Sequence, residues 1–144
     1  MSPALSTHFS DYAAFHGTPG NRACHYVGIP LIVFGLFGLL GAIPMGTIGG
    51  FTVTAADVAL LAATVYYLTL DATLAALMLA AFVVLDVLGR QIPVPLAAAL
   101  FAVGWIFQFI GHYVYEKRSP AFYRNLAHLL VGPLWILAKA TGRA

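Results

Sequence analysis

A polytopic α-helical membrane bundle is the fold class the sequence predicts, and three observations predict it. Of the 144 residues, 61% are hydrophobic and only 8% charged, against roughly 25% charged in an ordinary soluble domain. The intervals from Arg22 to Asp57 and from Arg90 to Glu116 hold no charged side chain between their ends, and each is longer than the ~20 residues a helix needs to cross a bilayer. Clusters of Gly and Pro then separate the apolar blocks, as breaks between helices do. A net charge of +2, scattered along the chain, excludes the basic footprint of a nucleic-acid binder.

The elements follow in order. Residues 1–25 are polar, aromatic and histidine-containing, unlike the basic start and short apolar run of a cleaved signal, so they are read as a retained N-terminal segment. The first span is expected over 26–42, where Gly35, Gly38 and Gly41 at three-residue spacing would let a neighbouring helix come close. "GAIPMGTIGG" breaks it. The block Ala55–Leu88 would make a helix of ~51 Å, too long for a ~30 Å hydrocarbon core, so it must fold back on itself. Asp71 is the expected reversal, because it can cap the helix that follows and would be costly in mid-membrane. Spans at 55–70 and 72–88 result, the latter closed by an Asp86–Arg90 ion pair four residues apart. "RQIPVP" is the next loop, 95–115 the fourth span, and "EKRSP" ends it. A fifth apolar segment, 122–140, carries Arg124, Asn125, His128, Gly132 and Pro133 and either spans or lies at the interface. The whole chain, 1–144, reads as one integral membrane domain.

Positive charge near span ends marks the cytoplasmic side. With the N-terminus inside, Arg22, Lys117, Arg118 and Arg124 fall inside and only Arg90 outside. The expected location is an inner membrane of bacterial type, or the endoplasmic reticulum membrane in a eukaryote.

Topology then brings the histidines together. His25 opens the first span and His112 nears the end of the fourth, so an even number of crossings returns both to one face. His16 is joined to His25 through the flexible "GTPG" turn, and His128 follows His112 closely enough to return there. On the fourth span, "WIFQFIGHYVYE" sets Trp105, Gln108, His112 and Glu116 at helical spacings of three and four, one stripe with an amide, an imidazole and a carboxylate. Imidazole suits iron, zinc, copper and nickel, and histidines with a carboxylate and open positions are the pattern of non-haem Fe(II) oxygenases. Glu116 is expected either as a ligand or as a partner that accepts a ligand histidine's other N–H. Cys24, the single cysteine, reads as packing, and Tyr12, Trp105, Tyr113, Tyr115 and Trp135 as interfacial and core aromatics.

"FHGTPGNRACHYVGIP" followed by "GWIFQFIGHYVYEKRSPAFYRNL" resembles the yeast-type 2-hydroxy fatty acid dioxygenase family, small membrane proteins implicated in converting phytosphingosine-derived acids to odd-numbered fatty acids. The match runs through nearly the whole chain in order, and its specific residues cluster at the two ends: His16, Pro19, Asn21, His25 and Pro30, then Gly104, Trp105, Gln108, Phe109, Gly111, His112, Glu116, Pro120, Ala121, Asn125 and Leu126. The resemblance implies Fe(II)-dependent α-oxidation, in which O2 is used to remove the carboxyl carbon of a 2-hydroxy long-chain fatty acid. It carries the metal role to His16, His25 and His112. At position 128 the family more often has glutamine, so a ligand role for His128 rests on placement alone. In that reading Glu116 is a ligand or base, Gln108 and Asn21 are hydrogen-bonding partners, and Arg22, Lys117 or Arg118 clamps the substrate carboxylate. The readings from other classes are a small histidine-lined transporter or channel, which needs ionisable groups at mid-membrane, and a non-catalytic membrane assembly protein.

Overall fold

Caps and reversals divide the apolar sequence into six α-helices in the computed structural model, which describes residues 1–144. Helix α1, Pro3–Ala14, begins where the Ser2 hydroxyl accepts from the Leu5 N–H at 3.1 Å, an N-cap with Pro in the first turn, where its missing donor is no loss. Leu5, Phe9 and Tyr12, at spacings of four and three, are its buried face. They pack against α6, Ala127–Ala140. The N-terminal segment is therefore a docked helix that supplies one wall of the core.

Helix α2, Pro19–Gly41, is capped in the same way, with Thr18 accepting from the Asn21 N–H at 3.3 Å. It starts well before the expected boundary at 26, so His25 lies nearly two turns inside it. After α2 comes a departure from an all-α fold: an antiparallel hairpin of β1, Pro44–Ile48, and β2, Phe51–Thr54. Its turn is Gly49-Gly50, with φ of +55° and +80°. Two successive positive φ values make the tight turn that matches the twist of a hairpin, and glycine adopts them without strain. "IGGF" is thus a hairpin signal where only a helix break was expected.

Helix α3, Ala55–Leu68, and α4, Ala72–Gly89, meet at Asp71, whose carboxylate accepts from the Leu74 N–H at 3.0 Å. The expected reversal is there. Helix α5, Val94–Phe109, runs directly into a π-helix, Ile110–Glu116, and a short 3₁₀ turn, Ala121–Tyr123, leads to α6. Three stretches are long and apolar enough to cross a membrane: Pro19–Gly41, Ala72–Gly89 and Val94–Glu116. Helices α3 and α6 have only 14 residues each, ~21 Å against a ~30 Å hydrocarbon core. The expected four spans and a fifth segment are thus three long helices and two short apolar ones. The hairpin takes part of the chain that the expected layout left as a loop, and the 3₁₀ turn with Asn125 delays the start of α6.

Helices α2 and α5 form the closest pair. A Cβ on Gly35 would meet the Ala97 carbonyl oxygen and the Phe101 nitrogen, each at 2.6 Å, and one on Gly104 would meet the Gly28 carbonyl oxygen at 2.7 Å. Backbone packs on backbone there, which only glycine permits. Gly41 takes no part, since its nearest neighbour is the Arg90 Cγ at 3.4 Å. Gly35→Ala is expected to cost about 1–3 kcal/mol, because neither backbone can yield without moving a helix. Gly41→Ala should change stability little. Unfolding of the two variants in detergent, followed by circular dichroism, checks the contrast.

Opposite the histidine end, Arg90 closes the bundle. Its Nη2 lies 2.9 Å from Asp86 and 2.6 Å from Asp57, and its guanidinium also donates to the Thr52 carbonyl and the Thr54 hydroxyl. The expected Asp86–Arg90 pair is present and extends to Asp57, tying α3, α4 and the hairpin together.

Candidate metal centre

Antiparallel packing of α2 on α5 brings the first turns of one against the end of the other. His16, His25 and His112 meet there, all buried, with one ligand atom from each lying within 4.8 Å of the others. His16 comes from the turn between α1 and α2, His25 from α2 and His112 from the π-helix. A π-turn carries more residues per turn than an α-helix and occurs often at functional sites. Here it sets the position of His112 against α2.

Hydrogen bonds orient two of the rings. His16 Nδ1–H donates to the Tyr12 carbonyl at 2.6 Å and His25 Nδ1–H to the Asn21 carbonyl at 2.9 Å. With both Nδ1 atoms protonated, both Nε2 atoms carry lone pairs, and they face each other 2.9 Å apart. Two facing lone pairs repel unless a proton or a cation lies between them. Burial, above all, pushes the His16 pKa down to about 4, so a proton is a poor occupant at neutral pH. His112 Nδ1 is buried with no hydrogen-bond partner. Three imidazoles with free lone pairs, two of them held by carbonyls through the opposite nitrogen, fit a divalent metal. The donor set suits iron, zinc, copper or nickel.

Glu116 is not in this cluster. Its carboxylate accepts from Gly17 N–H (2.9 Å), Thr18 N–H (3.0 Å), the Thr18 hydroxyl (2.8 Å) and Asn21 Nδ2 (3.1 Å). The change from α to π winding removes the straight stripe expected from residue 108 to residue 116 and aims the carboxylate at the 17–21 turn. Asn21 is a second junction, donating to the Phe15 carbonyl at 3.0 Å as well as to Glu116. Together they fasten the turn that carries His16.

The histidines line a cavity of about 70 Å³ with Tyr12, Trp105, Gln108, Phe122 and His128. Gln108 Nε2 and His128 Nδ1 are buried there without partners. His128 stands outside the three-histidine cluster, its ring 5.7 Å from Tyr12 and 5.9 Å from Phe15, because α6 starts only at Ala127. Nor do the three expected carboxylate clamps line the cavity. Arg22 donates to the Gly17 carbonyl (3.3 Å), Arg118 donates to the Ala14 carbonyl (3.2 Å) and covers the Phe15 ring at 4.0 Å, and Lys117 is exposed with φ +56°. Arg22 and Arg118 are thus occupied outside the cavity, and Lys117 points to the surface.

Tyr12, expected among the interfacial aromatics, belongs to the site. Its ring stacks on His16 with centroids 4.0 Å apart, and its carbonyl orients that imidazole. The signal was its spacing of four from His16, in register with Leu5 and Phe9.

A family model described as "2-hydroxy-palmitic acid dioxygenase Mpo1-like" matches residues 3–144. The chain is also similar to the 2-hydroxy-palmitic acid dioxygenase MPO1 of Saccharomyces cerevisiae, 30% identical over 136 residues that cover 92% of this chain and 77% of the yeast protein. No solved structure matches.

Proposed function

Since this chain belongs to the 2-hydroxy-palmitic acid dioxygenase Mpo1-like family, we propose that it is a membrane-embedded, Fe(II)-dependent dioxygenase that shortens 2-hydroxy fatty acids by one carbon. The observation that carries the reading is the buried cluster of three imidazoles with facing Nε2 lone pairs. A redox-active ion held by His16, His25 and His112 would supply the electrons that O2 needs before it can react with a closed-shell acid. The atoms balance with one O2: the carboxyl carbon leaves as carbon dioxide, the hydroxyl-bearing carbon becomes the new carboxyl, and one water is released.

The remaining work falls to the protein's own groups. Gln108 Nε2, buried without a partner beside the histidines, donates to a substrate oxygen and thereby recovers its own lost hydrogen bond. His128 Nδ1 is a second buried, unpartnered group lining the same cavity. Tyr12 holds His16 in one tautomer, and Trp105, Phe122 and Ile29 keep water from the reacting carbons. Selectivity for the 2-hydroxy acid follows from its two adjacent oxygens, which can chelate where an unsubstituted acid cannot. With the N-terminus inside, the site faces the cytoplasm, where a fatty acid's head group lies at headgroup depth.

Arg90 pairs with both Asp57 and Asp86 at the far end, so these ionisable groups do not form the mid-membrane row that an ion path requires. The test is purified protein with Fe(II) and O2 in detergent, with products read by mass spectrometry. A one-carbon-shorter acid is expected from 2-hydroxy long-chain acids and no change in unsubstituted ones. Equal turnover of the unsubstituted acid would sink the reading.

A further inference from the structure

The histidine cavity abuts a larger neighbour. It shares Ile32, Val33, Trp105, Leu129 and Pro133 with a second cavity of about 300 Å³. The second cavity follows α2 from Ile32 to Leu40, ~12 Å along the helix axis and away from His25. Its other walls include Ala59 and Ala63 of α3 and Phe82 of α4. Tyr67 also lines it, but its hydroxyl is already given to the Leu130 carbonyl at 2.7 Å. Water needs two to four polar partners to settle in a cavity, and these aliphatic and aromatic walls offer it little.

The two cavities together are therefore amphipathic. At one end stand the imidazoles and the unpartnered Gln108 Nε2 and His128 Nδ1; beyond Trp105 the walls are apolar but for the Tyr67 hydroxyl, which is already bonded. That shape fits a ligand with a polar head and a long apolar tail, inserted head first toward the histidines.

We propose that the larger cavity is the slot for the hydrocarbon tail of the substrate, and that Ala59 and Ala63 set the length of tail it admits. Identifying the ligand as a 2-hydroxy acid rests on the dioxygenase reading; the slot itself rests on its walls. The two alanines sit one turn apart on one face of α3, and Ala59 is nearer the hairpin, at the deep end. Neither alanine is fully buried, so each leaves room that a larger side chain would take. A phenylalanine at 63 closes the slot midway, and one at 59 closes only its tip.

The first experiment needs no variant. A 2-hydroxy long-chain acid with a terminal diazirine is photolysed on the detergent-purified protein, and the labelled residues are mapped by mass spectrometry. Label on Leu36, Leu40 or Ala59 is expected, displaced by unlabelled 2-hydroxy acid. The second compares kcat/KM over 2-hydroxy acids of graded length. Ala63→Phe should lose about tenfold or more on the longest acid, the effect of about two methylenes losing burial, while sparing the shortest. Ala59→Phe should shift the preference less, and both variants should keep the parent's iron content and gel-filtration profile. Label confined to the slot with no acid shortened would keep the slot and overturn the dioxygenase reading. Shortening that continues with label scattered over lipid-facing residues, or with an unchanged length profile in Ala63→Phe, would overturn the slot and leave that reading standing.

Discussion

His25→Ala is expected to lose nearly all bound iron, and with it all oxygen-dependent turnover, while the helices remain folded. His25 contributes one of the two Nε2 atoms that face each other at 2.9 Å, on a ring fixed by the Asn21 carbonyl. Two imidazoles would remain to hold the ion. Losing only the outer partner of a ligand already costs ~10–100-fold in affinity or activity, so losing the ligand itself should cost more. His16→Ala and His112→Ala should match it. His128→Gln should be the mildest of the four, because that ring lies outside the cluster and glutamine preserves a polar group on the cavity wall. Iron per protein after gel filtration gives the ranking and reports folding at once. Full iron occupancy in both His25→Ala and His112→Ala would refute the centre.

The second large effect is expected at Glu116, a residue that touches none of the three rings. Glu116→Ala leaves Gly17 N–H, Thr18 N–H and the Thr18 hydroxyl without their acceptor and Asn21 Nδ2 with only the Phe15 carbonyl, and the turn that presents His16 comes free. Iron affinity should fall ~10–100-fold, as for loss of a ligand's support, with iron restored at high concentration. Glu116→Gln should fare better, because its one oxygen can take the place of Oε2 and keep Thr18 N–H, the Thr18 hydroxyl and Asn21 Nδ2, leaving an NH2 toward Gly17 N–H alone. Chelator competition measures the shift. Irreversible loss equal to that of His25→Ala would instead make the carboxylate a ligand.

Much of the architecture was legible because it rests on one-dimensional signals. The reversal at Asp71 and the Asp86–Arg90 pair need only a cap and a four-residue spacing, and both are in place. The convergence of residues 16, 25 and 112 needs only that α2 and α5 lie antiparallel, and the three rings do meet there. The hairpin was missed because "IGGF" was weighed as a helix breaker, although Gly-Gly between β-branched and aromatic residues is also a turn signature. Helix α1 was missed because Leu5, Phe9 and Tyr12 are three apolar residues in a polar stretch, and their common face gains its meaning from α6. Glu116 was misplaced for a different reason. Residues three and four apart share a face only under α winding, and nothing in "IGHYVYE" announces that the chain will change to π. Only the packing of α5 against α2, with Gly111 pressed on Asn21, Cys24 and His25, makes the wider turn the better fit.

The three imidazoles also have a consequence for how the molecule is made. His16 and His25 leave the ribosome early, whereas His112 follows after most of the chain has been synthesised, so no partial product can assemble the donor set. On the proposed reading, metal capture would then belong to the end of biogenesis, after α5 has docked on α2. An ion joining His25 to His112 closes a long loop of chain, and it stabilises only the state in which the ends have met. In this respect it would do for a chain with a single cysteine what a disulfide does for a secreted protein: staple the finished topology and leave the unfinished one open.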